Sequence, residues 1–94
     1  MEAWKVHKFG GSSVADAACM TRVARIVEAD PASRKAVVLS ACRGVTDALL
    51  ALIAIAERQD PALEDRIEEL RLRHVGIARE LLEDDLYDEF VLGL

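Results

Sequence analysis

The chain has 94 residues, which is enough for one small domain with a thin core. An apolar fraction of 52% with 31% charged residues is typical of a folded soluble protein, and a net charge of −5 without a basic stripe argues against a nucleic-acid partner. The longest apolar run, 48–56, is far shorter than the roughly 20 residues that cross a bilayer, and the N-terminus lacks a secretory signal. We therefore expect a cytoplasmic protein with no membrane segment.

The first predicted element is a strand from Trp4 to Phe9, which runs into the glycine turn Lys8-Phe9-Gly10-Gly11-Ser12-Ser13. Adjacent glycines let a ligand approach the backbone closely, and the free N–H groups at a helix start attract anions. Lys8 adds a positive charge at the mouth of this turn. The pattern predicts a nucleotide phosphate site. The alternative is a structural turn in which Ser13 caps the next helix and Asp16 completes a capping box.

Apolar residues at helical spacing predict a first helix from Ser13 to about Asp30, where Pro31 ends it. The apolar run Ala36–Leu39 then predicts a second strand, covered on both faces as in a parallel sheet. Together these elements form a βαβ unit, in which the carboxyl ends of both strands open on the same edge. The cysteines, Cys19 and Cys42, have neither metal-ligand spacing nor the density of a disulfide scaffold, which favours buried free thiols over a disulfide bridge.

A second loop, Ser40–Asp47, leaves the second strand just as the glycine turn leaves the first. Small polar and glycine residues of both loops should therefore meet over the sheet edge, one loop holding phosphate and the other a second substrate. The alternative is a plain turn at Gly44, with Thr46 as the cap of the next helix. Arg43 either pairs with an anionic ligand or points to solvent.

The second half of the chain predicts helices. The first of these, 46–58, is apolar almost all round and is predicted to be buried. Asp60-Pro61 predicts the start of the next helix, which carries a narrow apolar stripe typical of helix pairs. The stripe consists of Leu63, Ile67, Leu70, His74, Ile77 and Leu81. Residues 85–94 predict a short returning helix, and both His74 and His7 are interpreted as packing residues rather than ligands.

With both loops in view, the sequence resembles the N-terminus of aspartokinases, which are members of the amino acid kinase family. The match lies in Lys8-Phe9-Gly10-Gly11-Ser12-Ser13-Val14 and in Val37-Val38-Leu39-Ser40-Ala41 followed by Gly44-Val45-Thr46-Asp47. A Walker-type Gly-x4-Gly-Lys-Ser/Thr loop is absent from the sequence. The resemblance implies an α/β fold: the N-terminal part of a carbamate-kinase-like αβα sandwich, with the βαβ unit at about 3–42 and helices at about 44–94.

The resemblance also implies a reaction. The γ-phosphoryl group of ATP would pass, with Mg²⁺, to the side-chain carboxylate of L-aspartate, giving 4-phospho-L-aspartate for lysine, threonine and methionine biosynthesis. Lys8 would be catalytic, stabilising charge on the transferred group. The nucleotide would be bound by the glycine turn, through Lys8, Gly10, Gly11, Ser12 and Ser13. The aspartate pocket would be lined by Ser40, Ala41 and Thr46.

The family's catalytic domain is more than twice as long, with a later Gly-Gly-Ser-Asp motif, a nucleoside pocket and regulatory ACT domains. We therefore expect an N-terminal piece of a longer polypeptide, inactive by itself; some relatives are fused to homoserine dehydrogenase or diaminopimelate decarboxylase. An open strand edge and the Leu63–Leu81 stripe predict a homo-oligomer. The competing hypotheses are a helical interaction module with a purely structural glycine turn, and a different amino acid kinase, against which Ser40-Ala41 and Gly44-Val45-Thr46 argue.

Overall fold

The computed structural model describes residues 3–94, and the chain divides into two compact units at Gly44. The first unit contains strand β1 (Lys5–Phe9), a 3-10 turn (Gly11–Val14), helix α1 (Ala17–Ala29) and strand β2 (Lys35–Leu39). The second unit contains helices α2 (Val45–Glu57), α3 (Leu63–Leu81) and α4 (Asp84–Leu92).

Strands β1 and β2 pair in parallel, with Lys5 opposite Lys35 and Phe9 opposite Leu39. The predicted βαβ unit is therefore confirmed. Side chains alternate between the two faces of a sheet, and residues opposite each other share a face. Helix α1 lies on the face that carries Lys35 and Leu39, since the Lys35 ammonium donates a hydrogen bond to the Val27 carbonyl oxygen at 2.8 Å.

Helix α1 ends where the sequence predicts but begins later. Its N-cap is Asp16, whose carboxylate accepts the Cys19 backbone N–H at 2.8 Å. The alternative in which Ser13 caps this helix is wrong, because Ser13 lies inside the separate 3-10 turn. At the other end, the Asp30 N–H donates to the Val27 carbonyl oxygen, and Pro31 follows.

The core of the first unit is small, consisting of the buried residues Val14, Ala17, Val23 and Cys42. The predicted coverage of β2 on both faces is wrong for this chain, because Val38 is 49% exposed and Leu39 56% exposed. Within this unit α1 covers one face of the sheet, and even there a groove of about 390 Å³ remains between α1 and β2. Both cysteines are free thiols, as predicted. Cys42 is buried, whereas Cys19 is only half-buried, so the expected burial is wrong for Cys19.

In the second unit, α3 contacts both α2 and α4. The prediction that α2 is buried is wrong, because Leu50 is 59% exposed and Ile53 is 55% exposed. The apolar stripe of α3 is covered only in part: Leu70 and Ile77 are half-buried, whereas Ile67 is 48% exposed. Among the residues that the structure describes, no helix is long and apolar enough to cross a membrane.

The connection between α2 and α3 differs slightly from the prediction. The Asp60 carboxylate accepts the Ala62 backbone N–H at 2.9 Å, so Asp60 does bind the chain entering α3. The helix itself begins at Leu63, two residues beyond the proline. The predicted final helix is confirmed as α4, which contacts α3 through a hydrogen bond of 3.0 Å from the Arg79 guanidinium to the Tyr87 hydroxyl.

Candidate functional site

Two loops leave the sheet at the carboxyl ends of β1 and β2. The strands stay paired up to this edge, where the Ser40 backbone N–H donates to the Phe9 carbonyl oxygen at 3.1 Å. The glycine turn after Phe9 and the loop after Leu39 therefore start side by side. We call this edge the sheet rim, formed by residues 8–13 and 40–44.

The two loops of the rim are in contact. A Cβ atom built on Gly11 would lie 3.1 Å from the Ala41 carbonyl oxygen and 3.5 Å from the backbone N and Cα of Arg43. Only a residue without a side chain fits there without displacing main-chain atoms. The prediction that both loops meet over the sheet edge is therefore confirmed.

The glycine turn has a simple conformation. Gly10 is extended, with φ −78° and ψ 175°, and the Ser13 N–H donates to the Gly10 carbonyl oxygen at 3.0 Å. Val14 anchors the turn at 2% exposure, whereas Ser12 and Ser13 are exposed. The sequence had suggested that the dipole of α1 starts at the glycines. This is wrong, because α1 begins only at Ala17. The serine hydroxyls and backbone amides remain as the polar groups of the turn.

Lys8 is the positively charged side chain next to the glycine turn. It lies opposite Val38 in the sheet register and is exposed, on the face away from α1. Its ammonium group forms no ion pair with any residue in the described range 3–94. The charge is therefore available to an anion that approaches the rim.

The second loop presents small residues above a buried anchor. Ser40 and Ala41 are exposed, and Cys42 is 8% exposed. Gly44 has φ 82°, the backbone conformation that glycine adopts without strain, and it ends the loop. The last predicted pocket residue, Thr46, is exposed in the first turn of α2 and belongs to the second unit.

The family model described as "Amino acid kinase family" matches residues 3–92. The chain belongs to the amino acid kinase family. That assignment agrees with the resemblance carried by the two motifs. Residues 8–13 of the first motif and Ser40, Ala41 and Gly44 of the second lie at the sheet rim.

Its relatives are aspartokinases. The chain is 38% identical over 93 residues to a chloroplastic bifunctional aspartokinase/homoserine dehydrogenase 2 of Arabidopsis thaliana, covering 99% of this chain and 10% of that protein. It is 42% identical over 100 aligned residues to the lysine-sensitive aspartokinase 3 of Escherichia coli, covering 94% of this chain and 21% of that protein. The chain thus spans between a tenth and about a fifth of the length of these curated relatives. No solved structure gives a significant match.

Lys5, His7 and Asp30 form a polar cluster beside β1 that was not predicted from the sequence. Asp30 is 8% exposed at its side chain and accepts a hydrogen bond of 2.8 Å from His7 Nε2, with the Lys5 ammonium at 3.6 Å. The Ala32 backbone N–H does most to lower the pKa of Asp30; burial opposes it, and His7 and Lys5 lower it further. His7 is half-buried and pairs with Asp30, which agrees with its interpretation as a packing residue.

Other candidate ligands are also structural. His74 Nδ1 lies 2.8 Å from the Leu70 carbonyl oxygen, one helical turn earlier in α3. Within the described part of the chain, no group of three or more His, Cys, Asp or Glu side chains is placed to hold a metal ion. The sheet rim is therefore the candidate site.

Proposed function

We propose that this chain supplies the phosphate-binding and acceptor-binding loops of an aspartate kinase. The reaction would transfer the γ-phosphoryl group of ATP to the side-chain carboxylate of L-aspartate and give 4-phospho-L-aspartate, a step toward lysine, threonine and methionine. The observation that carries this proposal is the contact of the two loops at Gly11 and Ala41. The aspartokinases among the relatives support the choice of substrate.

The glycine turn is the proposed nucleotide side. Phosphoryl transfer depends mainly on positioning and on neutralising charge, and the turn offers groups of the right kind. Lys8 contributes a positive charge, the backbone at Gly10 leaves room for phosphate oxygens to approach, and Gly11 brings the two loops together. The exposed hydroxyls of Ser12 and Ser13 can donate hydrogen bonds to the same oxygens.

Magnesium fits this site as a companion of the nucleotide. Mg²⁺ is commonly held by substrate phosphates with one or two carboxylates and several waters, rather than by an all-protein cage. Residues 8–13 and 40–44 carry no carboxylate, so the phosphate oxygens and water would supply most of the ligands at this rim. When bound, the ion would neutralise phosphate charge; the residues of the rim would orient the phosphates.

The second loop is the proposed aspartate side. Ser40 offers an exposed hydroxyl and Ala41 a small side chain beside the glycine turn, and both suit a compact diacid. Fixing the acceptor carboxylate next to the terminal phosphate is the kind of positioning that accelerates phosphoryl transfer. The role of Thr46 in this pocket stays a prediction, as do the homo-oligomer and the cytoplasmic location.

A titration followed by NMR tests the proposal. In the ¹⁵N-labelled chain, ATP with Mg²⁺ should shift the backbone amides of residues 8–13, and added L-aspartate should shift those of Ser40 and Ala41. Lys8→Ala should weaken ATP binding by about tenfold, as expected for the loss of one charged contact, whereas Lys8→Arg should retain most of the affinity.

Two outcomes would count against it. Unshifted rim amides at millimolar nucleotide would reject nucleotide binding by this chain. Shifts confined to α3, together with concentration-dependent association, would instead support a helical interaction module. The expected absence of kinase turnover by the chain alone is checked separately, by assaying phosphoryl transfer to aspartate.

A further inference from the structure

Arg43 is held next to the glycine turn by its neighbours in sequence. Its backbone N and Cα lie 3.5 Å from the position that a Cβ atom on Gly11 would occupy. Cys42 before it is buried, and Gly44 after it turns the chain with φ 82°. The backbone of Arg43 is therefore fixed at the boundary between the two loops, while its side chain is exposed.

The Arg43 guanidinium has no carboxylate partner among the described residues. Several other arginines of the chain do: Arg58 pairs with Asp60, Arg66 with Glu69 and Arg71 with Glu68. Because acidic residues exceed basic ones by 17 to 12, partners are plentiful in the sequence. The rim thus holds two cations, Lys8 and Arg43, that no acidic side chain of the described range neutralises.

We propose that Arg43 binds the terminal phosphate of the nucleotide and acts as a second cation beside Lys8. This inference rests on the proposed function and extends it to a residue of the acceptor loop. A guanidinium presents parallel N–H donors that match two phosphate oxygens, whereas an ammonium acts as a point charge. Because the Arg43 backbone packs against Gly11 and belongs to the proposed acceptor loop, the phosphate that would face both loops is the terminal one, which is the group transferred.

The test compares ligands that differ by one phosphate. Binding of Mg-ATP and Mg-ADP, and of tripolyphosphate and pyrophosphate, is measured by calorimetry for the wild-type chain and for Arg43→Ala. We expect Arg43→Ala to lose about tenfold in affinity for ATP and tripolyphosphate, and less than about twofold for ADP and pyrophosphate. Arg43→Lys should recover part of the loss.

Arg25 provides the matched control, because it is an exposed arginine on α1 with no ion pair to a residue of the described range. Arg25→Ala makes the same change in net charge and should leave the preference for the longer ligand intact. An equal effect of Arg25→Ala and Arg43→Ala would show a general charge effect and would overturn the inference. Amide spectra of each variant verify that it is folded.

The remaining outcomes separate this inference from the proposed function. If tripolyphosphate binds with the expected Arg43 dependence but ATP does not bind, Arg43 recognises a terminal phosphate that is not a nucleotide's, and the nucleotide proposal for this chain fails. If Arg43→Ala weakens the binding of ATP and ADP equally, or of tripolyphosphate and pyrophosphate equally, Arg43 does not recognise the terminal phosphate. Absence of binding by every phosphate ligand in the wild-type chain would overturn both.

Discussion

Gly11 and Ala41 pack backbone against backbone, with the Ala41 carbonyl oxygen 3.1 Å from the position of a Cβ atom on Gly11. The atom that would be displaced belongs to the main chain, which yields less easily than the end of a flexible side chain. The same construction at Gly10 meets nothing within 4 Å. The two adjacent glycines therefore have different roles: Gly11 lets the loops touch, and Gly10 leaves open space above the turn.

This difference predicts opposite effects of two neighbouring substitutions. Gly11→Ala should destabilise the chain by about 1–3 kcal/mol, because the added methyl group overpacks the contact with Ala41. Gly10→Ala should be neutral or stabilise by up to about 1 kcal/mol, since its φ of −78° suits alanine and the unfolded chain loses freedom. Urea unfolding followed by circular dichroism measures both, and equal destabilisation would contradict the contact described here.

Gly44 and Gly76 make a second pair with opposite expectations. Gly44 has φ 82°, so Gly44→Ala should cost about 1–2 kcal/mol of stability through backbone strain. Gly76 lies inside α3, and a Cβ atom there meets nothing within 4 Å. Gly76→Ala should stabilise by about 0.5–1 kcal/mol, because alanine favours a helix interior. Unfolding midpoints that move in the same direction for both variants would be inconsistent with these backbone conformations.

The sheet rim could be predicted from the sequence because each step depends on local patterns. An apolar run, a helical spacing and a second apolar run give a βαβ unit, and parallel pairing then places both loops on one edge. The sequence alone does not indicate which of the two adjacent glycines, Gly10 or Gly11, packs against the other loop. That choice depends on how closely the chain after β2 approaches, which is a property of the packed unit.

The start of α1 and the burial of α2 are two further features that the sequence does not predict correctly. Ser13 and Asp16 are both good N-caps, so capping chemistry alone does not choose between them; the turn anchored by Val14 places the first helical residue after Asp16. For α2, the apolar composition predicts burial, but burial needs a second layer. The contacts within the second unit leave Leu50 uncovered.

The Asp30 cluster predicts how stability depends on pH. The pKa of Asp30 is lowered in the folded chain, chiefly by the Ala32 N–H and further by His7 and Lys5. At acidic pH the unfolded chain then binds more protons than the folded chain. The stability of the folded chain therefore falls as the pH decreases. The contribution of Asp30 is complete above its unfolded pKa of about 3.9 and is lost as the pH falls through the lower folded value.

Asp30→Asn tests this prediction, because asparagine keeps an oxygen to accept the Ala32 N–H and removes the charge that faces His7 and Lys5. We expect the variant to unfold at lower urea concentration than the wild type at pH 7, and the difference to shrink as the pH falls below about 4. Glu28→Gln is the control: Glu28 is exposed near the end of α1, and its replacement removes one carboxylate without changing the cluster. A wild-type advantage that stays constant between pH 7 and acid, or one that Glu28→Gln reproduces, would show that the Asp30 charge does not stabilise the fold.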